Sequence, residues 1–173
     1  MYSFLFLNLR RYFQLLGLGC LGLLIVAAYF EHVLLLKPCL LCYVQRACVY
    51  LLIIVSLIGF LHKNQSLILF RTYIGFSIAF IISGISLSIR QLYLQNLPLE
   101  LVPTCGPDID YLFETLPILE VIMLAIRGDG SCAEVLWAFL DISIPGWLLI
   151  AFVGLLFYTL VSLNISKKLH SKS

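Results

Sequence analysis

Charge is scarce in this sequence. Only 12% of its 173 residues are charged, whereas 62% are hydrophobic and the mean hydropathy is +1.06. About a quarter of a soluble domain is charged, so the apolar surplus indicates surfaces that face lipid. No basic tract with interleaved aromatic residues occurs, which argues against a nucleic-acid partner. Only two methionines and three histidines are present, so copper or zinc transport through Met-rich or His-rich stretches has no support.

Long apolar runs are plentiful. Four stretches reach the roughly 20 mainly apolar residues that cross a bilayer. A segment in lipid must satisfy its backbone hydrogen bonds internally, so each is predicted to be an α-helix. The predicted fold is therefore one all-α membrane domain over residues 1–173, a four-transmembrane-helix bundle. The predicted spans are 12–30, 40–61, 72–89 and 142–165.

The basic residues predict the orientation. Three segments, namely the N-terminus, the connection after the second span and the C-terminal tail, carry basic residues and no acidic ones: Arg10, Arg11, Lys63, Arg71, Lys167, Lys168 and Lys172. All nine carboxylates lie on the other side. Because Lys and Arg accumulate in cytoplasmic loops, both termini are predicted to be cytoplasmic. The loops near 31–38 and 90–141 then face outward.

Two of the apolar runs have another possible interpretation. Arg10-Arg11 resembles a twin-arginine export signal, but the run after it is long for a signal peptide and lacks a small-x-small cleavage site. Residues 111–126 form a fifth apolar stretch, which contains Glu114, Pro117 and Glu120. Carboxylates at bilayer depth are costly, and a fifth span would move the basic tail outside. We predict a short interfacial helix in the second outer loop.

Six cysteines are present, and four of them map to the outer side or its edge. Cys20 and Cys48 lie within spans, where cysteine usually behaves as a small apolar side chain. The other four are Cys39, Cys42, Cys105 and Cys132. In a bacterium the outer compartment supports disulfides, so four thiols there favour redox chemistry.

The Cys39-Leu40-Leu41-Cys42 segment places a dithiol at the start of the second span. Backbone amides at a helix N-terminus carry partial positive charge, which favours a thiolate. Arg46 follows Cys42 by four residues, so the two share one helical face. This arginine either assists the dithiol or an anionic or carbonyl-bearing ligand, or it only extends to the lipid head groups.

Cys105 and Cys132 bracket the predicted interfacial helix. Glycine-rich turns surround both thiols, so accessible backbone is expected there. The pair is either a structural staple or a second dithiol that exchanges with Cys39 and Cys42. A four-sulfur zinc site is a further alternative, although structural zinc normally uses two closely spaced pairs.

Several motifs follow one another along almost the whole chain. They are Pro38-Cys39-Leu40-Leu41-Cys42 with Gln45-Arg46, Arg90-Gln91 with Gln95, Cys105-Gly106-Pro107, Gly130-Ser131-Cys132-Ala133-Glu134, and Ile144-Pro145-Gly146-Trp147. In this order they resemble the disulfide bond formation protein B family, the DsbB membrane oxidases of bacteria.

The resemblance implies a protein dithiol:quinone oxidoreductase of the bacterial inner membrane, with its redox loops in the periplasm and no metal site. A reduced DsbA-like periplasmic oxidase would attack Cys105 of a Cys105–Cys132 disulfide. Cys132 would then exchange with Cys39, leaving Cys42 to face the quinone. Arg46 matches the family's quinone-associated arginine. Electrons would end on ubiquinone, or on menaquinone under low oxygen.

Gln91 stands where some members of the family carry a histidine near the quinone. It is either a quinone neighbour or only an interfacial polar residue, and the sequence leaves both open. Vitamin K epoxide reductases also combine a four-helix bundle with cysteines and a quinone-like substrate. Their C-x-x-C motif comes late in the chain and their loop cysteines come early, whereas this order is reversed here.

Overall fold

The protein is predominantly helical. The computed structural model describes residues 2–62, 67–98, 111, 115–128 and 130–171. In chain order, the helices whose bounds lie within these residues are α1 (Tyr2–His32), α2 (Leu40–Leu61), α3 (Leu67–Gln95), α4 (Ile118–Arg127) and α5 (Ile144–Ser171). Four of them are long and α4 is short, which confirms the predicted all-α fold of four long helices with a short helix in the second long connection.

The four long helices are those of a multi-pass membrane protein. Each contains a run that is long and apolar enough to cross a bilayer: Arg10–His32, Leu40–Leu61, Ile68–Gln95 and Ile144–Ile165. Large apolar side chains on the outside of the bundle, such as Ile25, Ile68 and Phe157, are mostly exposed. Apolar surface on this scale is rare in soluble monomers and suits contact with lipid.

The helices differ from the predicted spans at their ends. The first runs from Tyr2 to His32 rather than over 12–30, and the third runs from Leu67 to Gln95 rather than over 72–89. A hydropathy pattern detects only the part that suits hydrocarbon, whereas helical hydrogen bonding continues into the polar boundary. The fourth long helix begins at Ile144, after its predicted start at 142, because residues 142–143 form a short strand.

The bundle closes as a ring in which α1 packs along α2, α2 along α3, and α3 along α5, while α1 also touches α5. At the end opposite the dithiol, Tyr12 and Phe13 pack edge-on against Phe70. The Tyr12 hydroxyl is 3.2 Å from the Thr159 hydroxyl. Gly59 lies so close to the Phe13 ring that a Cβ there would be 2.6 Å from it. This aromatic layer packs the four long helices together at the end away from the dithiol.

Helix α4 lies against the first turn of α2, where Val121 packs on Leu40. It begins directly after Pro117, whose carbonyl accepts hydrogen bonds from the amides of Glu120 and Val121. Proline has no N–H to donate and suits the edge of a helix. The helix predicted over 111–126 is therefore interrupted at Pro117.

A two-stranded antiparallel hairpin precedes α5. Strand β1 (Ala138–Phe139) pairs with β2 (Ile142–Ser143), with Phe139 opposite Ile142. The turn residues Leu140 and Asp141 both have positive φ, 53° and 60°, as in the turns whose twist matches a hairpin. The Trp147 indole N–H donates to the Phe139 carbonyl at 3.3 Å, which fixes the hairpin on α5.

Candidate redox site

Cys39 and Cys42 lie together at the N-terminal end of α2. Cys39 is the residue that caps the helix, with extended backbone at φ −76° and ψ 168°, and Cys42 is in the first turn. Residues three apart share one face of a helix, and the two sulfur atoms are 2.9 Å apart. The two thiols are therefore close enough to form a disulfide on oxidation.

Cys132 contacts Cys39. It ends a single 3-10 turn (Gly130–Cys132) and is fully buried in a cluster with Cys39, Leu41 and Leu94. Hydrogen bonding of the Cys39 side chain to Cys132 and to Cys42, together with burial, raises the pKa of the Cys39 thiol above its ordinary value. Cys39 thus contacts the sulfur of a remote loop on one side and that of its own motif on the other.

The loop that carries Cys132 is held in place by α3. The Arg90 guanidinium donates to the Arg127 carbonyl at the end of α4, at 3.0 Å. Gly128 follows with φ 77° and packs directly on Leu94. The expectation of accessible backbone around this thiol was wrong, because the turn packs against α2 and α3 and Cys132 is fully buried there. Cys105 lies outside the described residues, so its role stays a prediction.

Gln91 of α3 lies against both sulfur atoms of the motif. Its side-chain amide donates to Cys39 at 3.3 Å and to Cys42 at 3.4 Å, and it is almost completely buried. Gln91 is therefore buried against the dithiol rather than exposed as a polar residue at the membrane interface. It can donate a hydrogen bond to whichever sulfur carries negative charge.

Arg46 is one turn beyond Cys42 and is anchored by α1. Its guanidinium forms an ion pair with Glu31 and donates to the Ala27 carbonyl at 3.3 Å. The ring of Tyr43 lies 5.8 Å from the guanidinium carbon. Arg46 therefore does not extend freely toward head groups but is held between two helices beside the dithiol.

A cavity of about 490 Å³ opens beside these residues. Its volume falls within the roughly 300–1,000 Å³ of typical small-molecule sites. The walls are mainly apolar, with a few polar side chains among them. The lining includes Leu24, Ala27, Phe30, Cys39, Cys42, Gln45, Arg46, Gln91, Trp137, Trp147 and Leu148.

The remaining described cysteines lie elsewhere. Cys20 and Cys48 are buried in the apolar core of the bundle, in a cluster separate from that of Cys39 and Cys132. Across the described parts of the chain, no group of three or more His, Cys, Asp and Glu side chains is arranged to hold a metal ion. The four-sulfur alternative also requires Cys105, which lies beyond them.

Sequence reasoning missed several residues of this site. Glu31 was counted only among the outer carboxylates, and Trp147 only as part of a motif. One signal for Glu31 was available: a carboxylate in the last turn of a helix opposes the helix dipole and calls for a cationic partner. The identity of that partner depends on how α1 packs against α2, which residue spacing does not reveal.

Comparison with known proteins agrees with this geometry. The family model described as disulfide bond formation protein DsbB matches residues 9–162 of the chain.

Curated relatives cover most of the chain. Disulfide bond formation protein B of Marinobacter nauticus is 46% identical over 145 residues, 83% of this chain and 84% of that protein. The protein of the same name from Saccharophagus degradans is 42% identical over 138 residues, 80% of this chain and 82% of its own. Disulfide bond formation protein B 1 of Pseudomonas aeruginosa is 37% identical over 152 residues, which are 88% of this chain and 93% of that protein.

Proposed function

The chain belongs to the disulfide bond formation protein B family, and on that premise we propose that it reoxidises a DsbA-like thiol oxidase of the periplasm and passes the electrons to membrane quinone. It would do so in the bacterial inner membrane with its cysteine loops on the periplasmic side. The observation that carries the proposal is the contact of Cys39 with both Cys132 and Cys42.

Each exchange in this relay moves one electron pair. A partner thiolate attacks Cys105, breaks the Cys105–Cys132 disulfide and frees the Cys132 thiolate. Cys132 then attacks Cys39, breaks the Cys39–Cys42 disulfide and leaves the electron pair on Cys42. The partner's second thiol closes its own disulfide and releases Cys105. Cys105 then attacks Cys132, which restores the Cys105–Cys132 disulfide and frees Cys39. The Cys39 and Cys42 thiols now hold the two electrons and two protons given up by the partner and would pass them to a bound quinone.

The contacts of the two sulfurs agree with this order. Cys39 packs against Cys132 and is therefore the sulfur of the motif that Cys132 can attack. Cys42 receives the amide hydrogen bond of Gln91 and faces the cavity with Arg46.

The cavity fits a quinone in size and chemistry. Apolar walls suit the ring and the start of an isoprenoid chain, while Arg46 offers N–H donors that match carbonyl oxygens. Bound there, a quinone supplies an acceptor for two electrons and two protons. Arg46 would hold a carbonyl oxygen, Gln91 would border the quinone while its amide donates to the two sulfurs, and the apolar walls would keep water from them. Ubiquinone is the proposed species, or menaquinone under low oxygen.

Energetics favour a strong electron acceptor. A DsbA-type oxidase has a reduction potential near −120 mV, whereas ordinary structural disulfides lie below about −300 mV. The gap of roughly 180 mV corresponds to about 8 kcal/mol against oxidising such a partner with an ordinary disulfide. The relay therefore needs coupling to an acceptor outside the cysteines.

The direct test uses the purified full chain, decylubiquinone and a reduced DsbA-type oxidase. We expect one quinone to be reduced for every two partner thiols lost, followed by quinone absorbance and thiol titration. Cys42→Ala should reduce the rate to that of quinone and partner mixed alone. Cys48→Ala is the matched control, because Cys48 lies in the same helix but in the core cluster. Wild-type protein without quinone-dependent thiol loss, or full activity in Cys42→Ala, would refute the proposal.

A further inference from the structure

Glu31 and Arg46 connect α1 to the cavity. One terminal nitrogen of the Arg46 guanidinium donates to Glu31, and the other donates to the Ala27 carbonyl at 3.3 Å. Ala27 and Glu31 are four residues apart in α1, so they lie one above the other on one face. The last turns of α1 therefore hold the guanidinium at two points.

Glu31 and Arg46 would each be unfavourable at this position without the other. Glu31 lies in the last turn of α1, where the helix dipole disfavours a carboxylate. The Arg46 side chain is only 20% exposed and that of Glu31 28%. Removing one partner of such a pair leaves the other charge poorly solvated, which costs more than the pair itself contributes. The pairing compensates both groups and gives the cavity wall no net charge at this point.

We propose that Glu31 is a positioning residue for quinone binding: it fixes Arg46 beside Cys42 and balances its charge, so that the guanidinium can donate to a neutral carbonyl. This inference rests on the proposed quinone function. A guanidinium has five N–H donors, and the bonds to Glu31 and Ala27 use two of them. Arg46, Ala27 and Cys42 all line the cavity. Without Glu31, Arg46 would turn toward the head groups, as arginines near span ends do.

Quinone binding can be measured without turnover. The chain has two tryptophans, Trp137 and Trp147, and both line the cavity. Quenching of their fluorescence by decylubiquinone, in oxidised full-length protein at fixed detergent concentration, gives a Kd. Glu31→Gln should raise this Kd roughly ten-fold, the effect expected when one hydrogen bond to a charged group is lost.

A double-mutant cycle separates positioning from mere structure. If Glu31 acts through Arg46, then Arg46→Gln alone weakens binding at least as much, and adding Glu31→Gln to it changes the Kd little further. Glu31→Asp, which keeps the charge, should recover part of the affinity. Glu120→Gln is the control, because that exposed carboxylate of α4 is not part of the cavity lining.

The outcomes are distinct. Saturable quenching in the wild type with an unchanged Kd in Glu31→Gln would overturn the inference while leaving the proposed function standing. Additive effects of the two substitutions would also overturn it, since Glu31 would then act independently of Arg46. A wild type without saturable quenching would instead count against quinone binding itself. A circular dichroism melting curve for each variant distinguishes a folding defect from a change in quinone affinity.

Discussion

At the scale of single residues, Gln91 contacts both sulfurs of the dithiol, with amide hydrogen bonds to Cys39 and Cys42. Replacing it by leucine keeps the volume and removes the donor. A hydrogen bond to a charged group contributes about 1.5–3 kcal/mol, so we expect Gln91→Leu to slow alkylation of Cys42 in the reduced protein roughly ten-fold or more. Iodoacetamide labelling at neutral pH, read by mass spectrometry, measures the rate.

Gln91→His provides a second test, because the imidazole side chain retains an N–H donor. We expect it to alkylate at a rate between those of Gln91→Leu and the wild type. Gln14→Leu, an exposed glutamine of α1, controls for the loss of an amide elsewhere. Equal rates in Gln91→Leu and the wild type would show that the amide does not assist the thiolate.

The sequence alone could predict which residues of a single helix share a face. Cys39, Cys42 and Arg46 repeat at helical spacing, so their common face followed from the chain alone. The pairing of Arg46 with Glu31 and the contact of Gln91 with the sulfurs join different helices. Such contacts depend on the rotation and depth of each helix in the bundle, which one sequence does not specify.

At the scale of secondary-structure elements, Gly128 joins α4 to the turn that carries Cys132. Its φ of 77° disfavours a side chain, and a Cβ there would lie 2.3 Å from the Leu94 side chain. We expect Gly128→Ala to lower stability by about 1–2 kcal/mol from backbone strain alone and to move Cys132 away from Cys39. Thermal melting measures the first effect, and the yield of Cys39–Cys132 disulfide under mild oxidation measures the second.

Gly75→Ala provides the control for that substitution. Gly75 lies within α3, and a Cβ added there would meet nothing within 4 Å apart from its neighbours and the backbone of its own helix. Alanine also favours a helix more than glycine does. Its melting temperature and disulfide yield should match or exceed those of the wild type. If Gly128→Ala behaved in the same way, the glycine would have no role in placing Cys132.

Hydropathy could predict the long helices because crossing a bilayer needs an uninterrupted apolar run. The hairpin at 138–143 and the 3-10 turn at 130–132 are too short to leave such a pattern. Turn residues suggested an open loop around Cys132, but the Arg90 bond to the end of α4 folds that loop inward. Short elements of this kind depend on contacts with distant residues, which local composition does not encode.

At the scale of the whole molecule, the two ends of the bundle differ in how they are packed. One end is closed by packed aromatic rings around Tyr12 and by its bond to Thr159. The other end holds the sulfurs, Gln91 and the cavity between α1, α2, α3 and α5. Packing at the closed end holds the helices together, and the other end contains a cavity of about 490 Å³.

The orientation of this bundle in the membrane is the remaining prediction. Seven basic residues and no acidic ones lie in the segments predicted to be cytoplasmic, so the bias of Lys and Arg places both termini inside. A fluorescent protein that matures only in the cytoplasm should be bright when fused after Ser173, and alkaline phosphatase at the same junction should be inactive. The reverse result would put Cys132 and the hairpin on the cytoplasmic side, where no periplasmic oxidase could reach them, and the relay would have to be abandoned.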